Sequence, residues 1–147
     1  MITAFQKSLV QTSFALINPI SEQFAALFYT RLFELDPSLR SLFKEDLHAQ
    51  HRELAHMLSA AVKGLDRPEQ LLPVVQDLGR RHAAYGVAEV HYETVGVALL
   101  WTLKRVLGNA FTKSVEEAWT AVYTLLARTM KDATADTAVA QGSSSPS

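Results

Sequence analysis

The sequence predicts a single all-α domain, and three observations predict it. Apolar residues recur every three to four positions through nearly every segment, which is the period of a helix with one buried face. No segment alternates apolar and polar residues with period two over a useful length, and there is no internal repeat. Proline, glycine and Asn or Asp cut the chain at intervals suited to helix ends. At 147 residues the chain is long enough for one domain with a real core. About six or seven helices follow from these breaks, one of them short.

The first helix spans about residues 3–17, with Phe5, Leu9, Val10, Phe14 and Ile17 on its stripe, and Asn18-Pro19 ends it. Ser21 is placed to cap the second, whose inner face carries Phe24, Leu27, Phe28, Leu32 and Leu35. Asp36-Pro37 stops that helix and opens a short one to Phe43, since aspartate caps well and proline suits the first helical position. A polar link, Lys44-Glu45-Asp46, leads to a helix over about 47–65. Its stripe includes Leu47, Gln50, Leu54, Met57, Leu58 and Val62.

Asp66-Arg67-Pro68 makes the next turn. The following helix, with Pro73 near its start, places Leu71, Val75, Leu78, His82 and Tyr85 on one face, and Gly86 ends it. Arg80 and Arg81 point elsewhere. Residues 89–107 form a helix apolar nearly all round, as expected of one buried between others, and Gly108 closes it. Thr112 can cap the last helix, striped by Val115, Trp119, Val122, Leu126 and Met130. The packed domain is expected over 1–131. Residues 132–147 are too poor in apolar side chains to pack and read as a disordered tail.

Composition excludes several function classes. The 14 basic and 15 acidic residues leave a formal charge of −1, with no electrostatic case for nucleic acid or an anionic membrane. There is no cysteine, hence no disulfide, iron–sulfur cluster or thiolate chemistry. The N-terminus lacks the order of a signal peptide, and the longest apolar run, 95–101, is too short to span a bilayer. A cytoplasmic protein is the default expectation.

His82 is the residue that invites chemistry, because an ionisable imidazole on an apolar stripe must find a partner. Taken alone it reads either as a core histidine bonded to a backbone carbonyl or as an axial metal ligand. Tyr29 shares a face with Ala25, Leu32 and Phe33 and reads as a core tyrosine. Gln50 lies one turn before Leu54, at the mouth of a groove. Trp101 and Trp119 read as core, as does Phe43.

Together these residues form a pattern. Phe28-Tyr29 with Leu32-Phe33, Pro37 then Leu42-Phe43, Gln50 with Leu54, and Arg80-Arg81-His82 with Tyr85-Gly86-Val87 resemble the globins over roughly residues 5–130. The likeness is to bacterial single-domain haemoglobins and the haem domain of flavohaemoglobins, and residues 78–87 look like the Hell's Gate globins. The resemblance implies a three-over-three helical sandwich around haem b. It makes His82 the proximal iron ligand and stacks Phe43 on the porphyrin. Tyr29, Gln50 and Leu54 would form the distal pocket. Arg81 would lie near a propionate, and Tyr85, Val87, Tyr92, Val95 and Leu99 would pack on the proximal side and ring edge. The Leu78 carbonyl, one turn back, would accept from the second nitrogen of His82 and orient its ring.

One departure matters. Where flavohaemoglobins carry a glutamate and a tyrosine beside the proximal histidine, Tyr92 matches the tyrosine, but the register from Trp119 puts Thr134 at the glutamate. That lessens the push of electron density onto iron and the case for peroxidase-like chemistry. No flavin or nicotinamide domain follows, so a reductase would be a separate protein.

The resemblance therefore implies reversible binding of O2, with CO and NO as related ligands. Nitric oxide dioxygenation with a partner reductase is the enzyme alternative, and a haem-free globin-like regulator is the third. His51, beside Gln50, could turn inward as a sixth ligand. His48, His56 and His91 read as surface or rim residues.

Overall fold

The computed structural model describes the backbone of residues 2–42, 47–84 and 86–144, and the side chains of 2–42, 49–84 and 86–134. Six α-helices carry the fold: α1 (Ala4–Ile17), α2 (Ser21–Leu35), α3 (Leu47–Gly64), α4 (Pro68–Ala84), α5 (Glu89–Leu107) and α6 (Lys113–Ser144). Short 3-10 turns at Asn18–Ile20, Pro37–Leu42 and Gly108–Ala110 link them. No strand occurs among the described residues. The helices α1, α3 and α4 lie over α2, α5 and α6. Helix α1 crosses α6, α2 packs on α5 and α3, and α4 runs along α6. This is a three-over-three helical sandwich.

The helix ends follow local chemistry. Thr3 caps α1: its hydroxyl accepts from the Gln6 N–H at 3.0 Å, and the Gln6 side chain accepts from the Thr3 N–H at 3.1 Å. Thr112 caps α6 by accepting from the Val115 N–H at 3.2 Å. Asp36 opens the Pro37–Leu42 turn, its carboxylate accepting from the Ser38 N–H at 3.1 Å. Ser21 does not cap α2. The Asn18–Ile20 turn runs directly into that helix, so Ser21 is already its first helical residue and the capping position falls to Ile20.

The core is built from the expected stripes: Val10, Phe14 and Ile17 of α1, Phe24, Phe28 and Leu32 of α2, Leu99 and Leu103 of α5, Trp119 and Val122 of α6. Leu35, predicted inward, is exposed at the last residue of α2. Trp101 is half-buried rather than core, its indole flanked by the guanidiniums of Arg31 at 4.9 Å and Arg105 at 5.7 Å. One buried polar tie escapes sequence patterning. The Trp119 indole N–H donates to the Ser13 hydroxyl at 2.8 Å, and that hydroxyl donates to the Leu9 carbonyl at 2.7 Å. A serine amid an apolar stripe thus satisfies the indole between α1 and α6.

Helix α6 runs to Ser144, past the start of the segment predicted to be a tail. Ala133 is buried, and the Thr134 hydroxyl donates to the Met130 carbonyl at 3.0 Å and the Gly79 carbonyl at 3.3 Å. These positions extend the Met130 stripe by one turn. The low apolar content that argues against packing is offset by how near α4 lies, in backbone contact at Gly79 and Met130.

That nearness is set by Gly79. A Cβ there would sit 2.6 Å from both the Cα and the carbonyl oxygen of Met130. The two backbones therefore touch, and no side-chain rotation could relieve the clash. Gly79→Ala should force α4 off α6 and destabilise the fold by about 1–3 kcal/mol or more, read as a lower urea midpoint at unchanged slope.

Candidate functional site

His82 sits in the last turn of α4 and is half-buried. Its place along the chain is held from both sides. One turn before it, Gly79 locks α4 on α6. Beyond it the helix closes on Gly86, with φ at 95°, a region that favours glycine. The Val87 N–H reaches back to the His82 carbonyl and the Gly86 N–H to the Ala83 carbonyl, both at 3.0 Å. These two bonds satisfy carbonyls that a helix end leaves without intrahelical partners. Burial pulls the His82 pKa below its usual value, and the positive charge of Arg81 adds to the effect. The ring is therefore neutral at neutral pH, the form in which an imidazole binds a metal.

The Leu78 carbonyl does not orient that ring. Among the described residues the His82 ring has no hydrogen-bond partner, and its aromatic neighbour is Tyr92, with ring centroids 6.5 Å apart and planes 53° apart. Leu78 itself, Val87 and Val95 are half-buried apolar residues on the edge of the core, and Leu99 is buried in it. Arg81 is exposed and bridges Asp77 at 3.3 Å, one helical turn back.

Tyr92 lies in the first turn of α5. The His91 ring stabilises that helix start by accepting from the Ala88 N–H at 2.8 Å, so this predicted rim histidine has a capping role. Tyr92 is buried, and burial raises its pKa. Its carbonyl accepts from the Tyr123 hydroxyl at 2.6 Å. The Tyr123 ring lies against Gly96, where a Cβ would come within 2.8 Å of it. Burial, with Tyr92 nearby, raises the Tyr123 pKa as well. Tyr123 is the residue sequence reasoning missed. Its signal was present: it lies one turn beyond Trp119 on α6, and Gly96 on α5 leaves room for a ring. Thr134 stands at the register predicted for it, but its hydroxyl serves the Gly79 and Met130 carbonyls.

Tyr29 is the second polar residue that the sequence singles out on a buried face. It is 7% exposed on α2 and enclosed by rings. Phe28 meets it edge-on with centroids 5.1 Å apart, Phe33 lies tilted at 5.9 Å, and His51 of α3 stacks on it at 5.5 Å with planes 24° apart. Burial pushes the Tyr29 pKa up to about 12, and the negative charge of Glu53 contributes. Its phenol is thus a proton donor throughout the neutral range. Gln50 and Leu54 follow on α3, both half-buried, with Leu54 packed on the core edge. The ring contact on Tyr29 from α3 comes from His51, whose neighbourhood the helical stripe alone did not reveal. Phe43 and Tyr85, and the His48 side chain, lie outside the described residues.

Two chemical features therefore meet in this fold: one imidazole held neutral and one buried phenol held protonated. A family model of the globins matches residues 26–130. The chain belongs to the globin family. It is 35% identical to a flavohemoprotein of Bordetella parapertussis over 131 residues, 86% of this chain and 32% of that protein. It is 30% identical to a flavohemoprotein of Vibrio cholerae over 135 residues, 90% of this chain and 34% of that protein. The globin chain thus spans about a third of the length of these curated relatives. A solved structure, an engineered carbene transferase described as a putative nitric oxide dioxygenase from Rhodothermus marinus, superposes with a TM-score of 0.87. That match has 29% identity and covers 97% of this chain and 99% of the other. No helix among the described residues of this globin is long and apolar enough to cross a membrane.

The raised Tyr29 pKa ties stability to alkaline pH. The folded state keeps a proton that the unfolded chain loses near 10, so this contribution is intact below pH 10 and is lost as pH rises toward 12. Between those values wild-type stability should fall more steeply than that of Tyr29→Phe, by about 1–3 kcal/mol in total. Urea titrations of both proteins across that window check it.

Proposed function

We propose that this globin holds haem b through His82 and binds O2 and related diatomic ligands reversibly. The observation that carries this reading is the neutral, half-buried imidazole with no accompanying ligand set. Among the described residues no cluster of three or more His, Cys, Asp or Glu could hold a bare metal ion. A lone histidine is a sufficient protein ligand where a macrocycle supplies the others, as in haem. The half-buried apolar residues Leu54, Leu78, Val87 and Val95 suit the flat apolar face of such a group, and membership of a family with flavohemoprotein relatives supports it. The haem-free alternative leaves the neutral His82 without a task.

Haem iron supplies the position at which O2, CO or NO binds. The chain supplies the rest. His82 offers a neutral nitrogen, with its backbone fixed by the Gly86 turn and the Gly79 contact. Exposed Arg81, bridged to Asp77, is the cation available to a haem carboxylate. Tyr29 stays protonated and can donate to a ligand that carries partial negative charge. Gln50 is a second donor on α3, and Leu54 an apolar wall.

Nitric oxide dioxygenation is the second reading, favoured by the likeness to flavohemoproteins and to a protein described as a putative nitric oxide dioxygenase. O2 and NO would combine to nitrate, with a reductase returning the iron to its ferrous form. Thr134, which bonds backbone carbonyls where the resemblance expects a carboxylate, is why reversible binding is placed first. Steady-state NO consumption with an added reductase separates the two.

The purified protein should bind one haem, with a mainly five-coordinate ferrous spectrum that shifts on CO. If His82→Gly keeps that spectrum without added imidazole, the reading is overturned. Tyr29→Phe should raise the O2 dissociation rate about tenfold or more, the loss of about 1.4 kcal/mol of hydrogen bonding. CO dissociation should change far less, because bound CO carries little charge. Equal changes for both gases by stopped flow would assign the effect to packing instead.

A further inference from the structure

Helix α1 meets solvent without a charge. Its exposed residues are Ala4, Phe5, Ser8, Thr12, Ala15 and Leu16. Lys7, the one ionised side chain on this helix, is half-buried and bridges Asp66 at 3.2 Å. Each of the other five helices places at least two charged side chains among its exposed residues. The outer face of a surface helix is ordinarily its polar one. On α1 that face carries Phe5 at 66% exposure and Leu16 at 59%. The core does not account for them, because α1 already gives Val10, Ser13, Phe14 and Ile17 to the interior.

The spacing of this face is ordered. Phe5, Ser8, Thr12 and Ala15 recur at steps of three, four and three, the seam of a helix that packs on another at a shallow angle. We propose that α1 is the contact between two copies of this globin, paired antiparallel about a two-fold axis level with Val10. The proposal is independent of the ligand that His82 holds. Antiparallel pairing sets Phe5 over Ala15 of the second copy and Ser8 over its Thr12, and repeats both contacts beyond the axis. Large side chains meet small ones at both ends, and Leu16 flanks the second copy's phenyl ring. The Ser8 and Thr12 hydroxyls, which make no hydrogen bond among the described residues, face each other at the centre. A face without charge offers nothing to an acidic or basic partner, and it lacks the cationic flank of a helix that lies on an anionic membrane. A copy of itself is the surface that matches it. The 14 residues of α1 make a helix about 21 Å long and about 10–12 Å across, a footprint of roughly 250 Å2 per copy. Stable interfaces cover about 800 Å2 per partner, so this pairing is a weak one, half complete at roughly millimolar chain.

Sedimentation equilibrium of the full chain should show monomer at about 10 µM and substantial dimer at about 1 mM. Raising NaCl from about 50 mM to about 500 mM should leave that dimer in place, because no ion pair holds it. Phe5→Glu, a change at an exposed position that spares the core, should lower the association constant about tenfold or more. The chain holds no cysteine, which allows a direct test of register. Facing Cα atoms of two helices packed on small residues lie about 4–6 Å apart, within reach of a disulfide. Mild oxidation of an equal mixture of Ser8→Cys and Thr12→Cys should therefore yield the mixed dimer, identified by intact mass, while either variant alone stays largely monomeric. A chain that remains monomeric at about 1 mM overturns the proposal. So does a dimer that Phe5→Glu leaves unchanged, which would lie on another face. Cross-links formed as readily by Thr12→Cys alone would run the helices parallel and overturn it as well.

Discussion

The contact on which the site depends is the backbone crossing of α4 over α6. Gly79 has no side chain to spare, because a Cβ would fall 2.6 Å from Met130 backbone atoms. Two helices in backbone contact cannot slide or rotate without breaking many close contacts at once. His82 lies three residues beyond Gly79 on the same helix, so its direction is inherited from that crossing. Thr134 adds a bond to the Gly79 carbonyl on the far side of Met130. The turn at Gly86 then fixes the other end of the segment by gathering the His82 and Ala83 carbonyls. A residue placed between two rigid points needs no side-chain hydrogen bond to hold its backbone.

His82 and Tyr29 are both kept uncharged by the same cause acting on opposite kinds of group. Burial disfavours the charged form of both. For His82 that lowers the pKa and leaves a neutral base. For Tyr29 it raises the pKa and leaves a neutral acid. Burial thereby leaves an electron-pair donor on α4 and a proton donor on α2. The tyrosines at the α5–α6 contact obey the same rule, with Tyr123 spending its proton on the Tyr92 carbonyl.

Much of the fold was legible because its signals are local. The Thr3 and Thr112 caps, the Asp36-Pro37 opening, the Gly86 stop and the bounds of α5 each depend on a few neighbouring residues. The misreadings have causes that stripe and spacing do not carry. Ser21 looked like a cap because nothing local shows that Asn18–Ile20 continues into α2. Trp101 looked like core because Arg31 comes from another helix. Residues 133 and 134 looked too small and polar to pack, yet Ala133 is buried and Thr134 bonds the Gly79 carbonyl of α4. The Leu78 carbonyl was assigned to His82 from spacing alone, but helical spacing fixes a separation along the axis and not the rotamer of a ring.

The sequence by itself determined the helical class, the apolar stripes, the helix stops and the identities of His82 and Tyr29 as polar residues on buried faces. It could do so because period, capping and glycine conformation are properties of short segments. Tertiary structure decided which residues meet. It set His51 on Tyr29, Tyr123 on the Tyr92 carbonyl, Trp119 on Ser13 and Thr134 on Gly79. Those pairs lie from 22 to 106 residues apart in the chain. Their distances depend on how six helices cross, and a crossing is chosen by the sum of all packed faces rather than by any one of them.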